Sequence, residues 1–176
     1  YKYSARNALD LYLNYGEIIF SRSWFQKLRS VFGLFDEKYS AKNLEIELNR
    51  YMGTVELKQL LKPCLITSYE ISKRSEFFFN SIDAQKDSDY NYYIKDIARA
   101  TSAAPIFFEL AQIKSLAGNE NHLIDGGMVA NNPALCAYAE ARHAFNTKYK
   151  ASDIVMLSLG TGKNLQPYDY HKARNW

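Results

Sequence analysis

Asp125 closes the apolar stretch His122-Leu123-Ile124 and is followed at once by Gly126 and Gly127. A carboxylate at the end of a buried strand has few rotamers and is partly desolvated, which makes it a competent general base. The two glycines allow tight backbone turning and close approach of a partner. The chemistry this suits is proton abstraction from a nucleophile. The same pattern has a purely structural reading, since aspartate before glycine often does no more than accept hydrogen bonds from its own turn. Local pattern leaves both readings open.

The other reactive side chains compete poorly. His143 falls in an expected helix beside Arg142, and His171 lies in a polar tail after Pro167, so both read as solvated surface residues. His122 stands an odd number of positions from Asp125, and a continuous strand would send the two side chains to opposite faces. Gly160-Thr161-Gly162-Lys163 fails as a phosphate loop, because Leu157 and Asn164 occupy the places that need glycine and Ser/Thr. No set of His, Cys and carboxylates has metal-ligand spacing, so no metal or cofactor is expected. Cys64 and Cys136 sit in apolar segments and read as reduced core residues.

A second feature concerns surfaces rather than chemistry. Residues 21–35 carry Arg22, Lys27 and Arg29, no acidic residue until Asp36, and several large apolar side chains. If residues 23–35 form a helix, Trp24, Leu28, Val31, Phe32 and Phe35 share one face while Arg22, Gln26 and Arg29 lie opposite. That arrangement suits the interfacial plane of an anionic bilayer, and Trp24, Leu28 and Phe32 are the membrane-contact candidates. The alternative is an amphipathic helix packed on its own core, and Gly33 weakens the helix.

Several elements must position these residues. Ala8, Leu11, Tyr12, Tyr15, Ile18 and Ile19 recur at helical spacing within 4–20, with Ser4 as N-cap. Ser40 and Thr54 are expected to open two further helices, one carrying Leu44, Leu48 and Met52, the other covering 55–61 before Pro63. Residues 64–71 and 76–80 read as a strand pair around Ser72-Lys73-Arg74-Ser75. A polar loop over 83–89, a helix over about 92–103 and a turn over 118–121 then lead into the strand that ends at Asp125. Asn132 and Pro133 make a helix start for 134–145. Residues 154–159 form a nearly unbroken apolar run before Gly160, as expected of a parallel strand covered on both faces. Strands alternating with helices in this way imply a layered α/β fold.

Composition narrows the class. The chain has 176 residues, 47% hydrophobic and 23% charged, enough for one domain with a real core. No apolar run approaches the ~20 residues of a membrane span, and the opening residues run straight into a helical pattern, so any targeting signal is expected outside these residues. A net charge of +3 with scattered basic residues does not support nucleic-acid binding.

Five blocks resemble one family. They are Tyr15-Gly16-Glu17-Ile18-Ile19-Phe20, Ala98-Arg99-Ala100-Thr101-Ser102-Ala103-Ala104-Pro105, Leu123-Ile124-Asp125-Gly126-Gly127, Asn131-Asn132-Pro133-Ala134-Leu135 and Leu157-Ser158-Leu159-Gly160-Thr161-Gly162. In this order, spanning nearly the whole chain, they resemble a patatin-like phospholipase domain. The resemblance implies a three-layer α/β/α fold with a mostly parallel central sheet, and residues 1–176 as a partial domain beginning downstream of the nucleophile elbow. It also implies a Ser-Asp dyad whose base is Asp125, with Gly126 and Gly127 as the active-site turn.

The sequence departs from the family in having no Gly-x-Ser-x-Gly: none of its eight glycines is followed two positions later by serine. The expected function is therefore that of a phospholipase A or lysophospholipase type acyl hydrolase as a complete domain, with this chain alone inactive. The alternative is a noncatalytic lipid-binding or interaction module. Expected partners are lipid or lysophospholipid acyl esters, a peripheral membrane surface and the upstream part of the same domain, with no nucleic acid. A cytoplasmic or peripheral-membrane location is expected, with a secreted or delivered effector as the alternative.

Overall fold

Helix α1 (Ala5–Ile19) begins where Ser4 and Asn7 cap each other, each side-chain oxygen accepting the other's backbone amide at 3.1 Å. Helix α2 (Ala41–Met52) begins at Ser40, whose hydroxyl accepts from the Lys42 amide, and stops at Gly53, whose φ of 51° a side-chain-bearing residue adopts poorly. The two helices run oppositely. Asn43 near the start of α2 donates to the Ile18 carbonyl, and Arg50 near its end donates to the Tyr15 hydroxyl. This computed structural model describes residues 4–20, 39–145 and 149–162. The basic aromatic segment with Trp24, Leu28 and Phe32, and also His171, lie outside the described residues.

The expected strand pair is present as β1 (Leu65–Glu70) and β2 (Ser75–Asn80), paired antiparallel from Leu65↔Asn80 to Glu70↔Ser75. Strand β4 (Glu120–Asp125) pairs antiparallel with β1 on one side, with Ser68 opposite Asp125, and with β3 (Ala111–Lys114) on the other. The sheet order is β2-β1-β4-β3, so β4 is an inner strand. Helix α4 (Ile94–Thr101) packs across β1, β4 and β3. Ile97 and Ala100 of α4 join Leu57, Phe79, Tyr92, Ala111 and Leu123 in one buried cluster. Burying side chains of this size contributes roughly 1.5–3 kcal/mol each, which makes the strand ending at Asp125 one of the better anchored parts of the fold.

Three expectations change. Residues 55–61 form only a 3-10 turn, Leu57–Gln59, because their backbone pairs elsewhere: Leu57 donates to the Tyr92 carbonyl and Ile94 donates to the Val55 carbonyl. The expected loop over 83–89 is largely helical. Helix α3 (Ser81–Lys86) is capped by the Asn80 side chain, which accepts from the Ile82 amide at 2.9 Å. Helix α6 (Ala134–Ala144) starts at the expected residue, and the Asn132 side chain accepts from the Ala134 amide.

The third change concerns the sheet. The fold is mixed α/β, yet every ladder among the described residues is antiparallel rather than mostly parallel. The run expected to supply a parallel strand, residues 154–159, forms no strand, and Val155, Leu157 and Leu159 are 80% or more exposed. A strand exists only through a paired neighbour, and among the described residues this run has none.

Candidate active site

Asp125 is held by three separate contacts at the end of β4. Its amide donates to the Ala103 carbonyl, 3.0 Å away, in the segment that follows α4. The preceding carbonyl, of Ile124, accepts from the buried Ser68 hydroxyl of β1 at 2.6 Å. Its carboxylate Oδ1 accepts from the Gly127 amide at 2.7 Å. Oδ1 thus serves the turn that opens the short helix α5 (Gly127–Ala130), while Oδ2 has no hydrogen-bond partner among the described residues. The structural and chemical readings of this residue are compatible, because one oxygen orients the group and the other is left for a proton.

The two glycines have different reasons to be glycine. Gly126 has ordinary helical backbone angles, so conformation does not demand it. A Cβ there would overlap the carbonyl and hydroxyl oxygens of Thr67, because β1 closes directly onto the turn. That part of β1 is itself held from α4, since the Thr101 hydroxyl donates to the Thr67 carbonyl at 2.7 Å. At Gly127 a Cβ would stand 3.1 Å from Asp125 Oδ1, tight against the carboxylate rather than the backbone.

Arg99 fixes the same α4 segment from its other side. Its side chain is almost fully buried and donates to Glu45 of α2 at 3.1 Å and to the Glu109 carbonyl at 2.8 Å. The block 98–105 is therefore a strut: Arg99 ties it to α2, Thr101 to β1, and Ala103 to Asp125.

Neither of the two described histidines bonds to Asp125. His143 is exposed near the end of α6. His122 Nδ1 lies 3.0 Å from the Ser72 hydroxyl, and its Nε2 lies 3.3 Å from Glu120 Oε1. This serine–histidine–carboxylate line was not foreseen, since only the β1–β4 pairing brings Ser72 to His122. It makes a poor nucleophilic site, because Gln112 and Lys114 already occupy the Glu120 oxygens and hold its carboxyl below the usual carboxylate range. Among the described residues no three His, Cys, Asp or Glu side chains gather in a metal-binding cluster. Burial pushes the Cys64 thiol up, consistent with a half-buried residue that does no thiolate chemistry.

Sequence comparison gives the arrangement its context. A family model described as Patatin-like phospholipase matches residues 3–138, a span that includes the strut, the strand and the Asp125 turn. The chain belongs to the patatin-like phospholipase family. Patatin-like protein 8 of Arabidopsis thaliana is 32% identical over 141 residues, covering 76% of this chain and 26% of that protein. Patatin-like protein 3 of the same plant is 29% identical over 195 residues, covering 99% of this chain and 45% of that protein. A third relative, described as Probable inactive patatin-like protein 9, is 30% identical over 72% of this chain. The patatin-like chain thus spans between about a quarter and a half of the length of the curated relatives it matches. No helix among its described residues is long and apolar enough to cross a membrane.

Proposed function

We propose that this chain is part of a lipid acyl hydrolase in which Asp125 is the general base of a Ser-Asp dyad, the serine coming from an upstream part of the same domain. The observation that carries the reading is the division of labour on the carboxylate: Oδ1 is fixed by the Gly127 amide while Oδ2 has no partner among the described residues. Asp125 takes the serine proton as the hydroxyl oxygen bonds to the ester carbonyl carbon. The tetrahedral oxyanion then collapses, the alkoxide leaves with the proton from Asp125, and an acyl-serine remains. Water, deprotonated by the same carboxylate, releases the fatty acid.

Aspartate is a weaker base than histidine, its reference pKa being about 3.9. Rigid placement must therefore contribute much of the effect, since an oriented group substitutes for a search through conformations. The strut through Ala103, the Ser68 contact and the Gly127 amide are suited to that task.

The three-layer architecture with a mostly parallel sheet belongs to the complete domain in this proposal. Support comes from residues 154–159, an apolar run whose exposure of Val155 (96%) and Leu159 (83%) would be relieved by strands pairing on either side. Phospholipids and lysophospholipids are the proposed substrates, approached through Trp24, Leu28 and Phe32 at a membrane surface. Loss of ester hydrolysis in Asp125→Asn, with the fold retained, is the test.

The second reading is a noncatalytic lipid-binding module. It is favoured by the absence of Gly-x-Ser-x-Gly from these residues and by a relative whose description calls it probably inactive. Whether the gene encodes Gly-x-Ser-x-Gly upstream of Tyr1 separates the two.

A further inference from the structure

Gly127 opens the short helix α5 and Asn131 closes it as C-cap, one helical turn further on, so the two residues adjoin on one face. The Asn131 carboxamide is exposed and has no hydrogen-bond partner among the described residues. Its neighbour Asn132 is used by the fold, accepting from the Ala134 amide at 3.1 Å. Of two consecutive asparagines, only the second has a structural bond.

The first faces the candidate base. A Cβ built on Gly127 would stand 3.1 Å from Asp125 Oδ1 and 3.6 Å from Asn131 Oδ1, so both oxygens look onto one point just off the Gly127 backbone. Backbone conformation does not call for glycine there: its φ is not positive and it begins a helix, where glycine is among the poorest residues. What the missing side chain preserves is access to the point between the two oxygens. Gly127 and Asn131 are both exposed, so that point is reached from solvent.

The chemistry of the guest follows from its neighbours. It is the size of a methyl group, and it must donate to two oxygens at once, since Asp125 Oδ1 keeps a second lone pair beside the one that takes the Gly127 amide. An ester group has no proton to donate. Water is small enough, donates twice, and needs two or more polar partners to be held in place.

We infer that Asn131 holds the hydrolytic water of the second half-reaction, between its own carboxamide and Asp125 Oδ1, in the space that Gly127 leaves beside the carboxylate. The inference rests on the acyl hydrolase reading and gives the two carboxylate oxygens different partners: Oδ2 takes the serine proton, Oδ1 the water proton. Once the leaving alkoxide has taken up the serine proton, Asp125 is ionised again. The water oxygen then adds to the acyl-serine carbonyl carbon as one water proton passes to Oδ1, the other staying on Asn131. The tetrahedral intermediate expels the serine oxygen, which takes that proton back, and the fatty acid leaves.

The experiment uses the full-length protein and p-nitrophenyl butyrate. Stopped-flow release of the first p-nitrophenolate reads acylation, and decay of the butyryl-enzyme, followed by mass spectrometry after acid quench, reads deacylation. Asn131→Leu keeps the side-chain volume but neither donates nor accepts. It should leave the acylation rate within about threefold and slow deacylation about tenfold to a hundredfold, the scale of a reactant misplaced by about 1 Å. Its thermal midpoint should not move, because the side chain is exposed and makes no bond among the described residues. Asn131→Ala should act in the same direction and keeps the test valid if Asn131→Leu folds poorly. Asn132→Ala is the contrast: it should lower the thermal midpoint through the lost Ala134 bond and leave the ratio of the two rates unchanged. If wild type turns over, and in both Asn131 variants the two rates fall together or neither falls, the water site is overturned and the hydrolase reading stands. A wild type that forms no butyryl-enzyme overturns that reading, and the water site with it.

Discussion

The amide of Asp125 and the carbonyl of Ala103 meet at 3.0 Å, joining the last residue of an inner strand to the segment that leaves α4. Ala103 is fully buried, and neighbouring Thr101 and Arg99 are bonded to β1 and α2. The candidate base is thus referenced to three elements at once, and its neighbours can be perturbed separately from its chemistry.

The two glycines should respond differently. Gly126→Ala is expected to destabilise the protein by about 3 kcal/mol, the upper end of ordinary overpacking costs, because the obstacle is the Thr67 backbone. Gly127→Ala presses on the Asp125 carboxylate instead, so it should lower ester hydrolysis with little change in the denaturant midpoint. Equal effects of both substitutions on stability would contradict the assignment.

Tyr92 gives a pH signature for the core behind the site. Burial pushes its phenol up to about 12, partly offset by the hydrogen bond with Asn121 at 2.8 Å. The folded state holds this proton more tightly than the unfolded chain, whose tyrosines titrate near about 10. The contribution is complete below that pH and is lost as pH rises toward about 12. Tyr92→Phe should therefore flatten the loss of stability between these values. At neutral pH it should cost about 1–2 kcal/mol, since the buried Asn121 amide loses its short partner. Thermal unfolding across an alkaline pH series reads both effects.

Neither described histidine should matter to turnover. His122 serves Ser72 and Glu120, and His143 is exposed on α6. His122→Ala and His143→Ala are expected to keep kcat/KM within about threefold, whereas loss of two orders of magnitude in either would favour a histidine-based site over the dyad.

Much of this arrangement is legible in the sequence. The cap at Ser4, the strand pair around residues 72–75 and the carboxylate at a strand end each depend on local pattern, and each appears where expected. Strand β3 was missed because Ala111-Gln112-Ile113-Lys114 is too short to show a period. The run over 154–159 has the composition of a covered parallel strand, but composition cannot supply the neighbour that makes it one. Least legible was the need for Gly126, which comes from Thr67, a residue far away in the chain.

The proposed membrane contact can be tested apart from the proposed chemistry. Trp24→Ala combined with Phe32→Ala in the full-length protein should weaken sedimentation with anionic liposomes several-fold and leave hydrolysis of a soluble ester unchanged. Unaltered liposome binding would remove this segment from the account.

Whether Asp125 accepts the nucleophile's proton is decided by Asp125→Asn in the full-length protein. Asparagine keeps an Oδ1 to accept from the Gly127 amide, so the turn and the thermal midpoint should be preserved. Steady-state hydrolysis of a lysophospholipid should fall by about 10²–10⁴-fold in kcat. A folded Asp125→Asn protein that hydrolyses the same substrate at the wild-type rate would contradict the dyad.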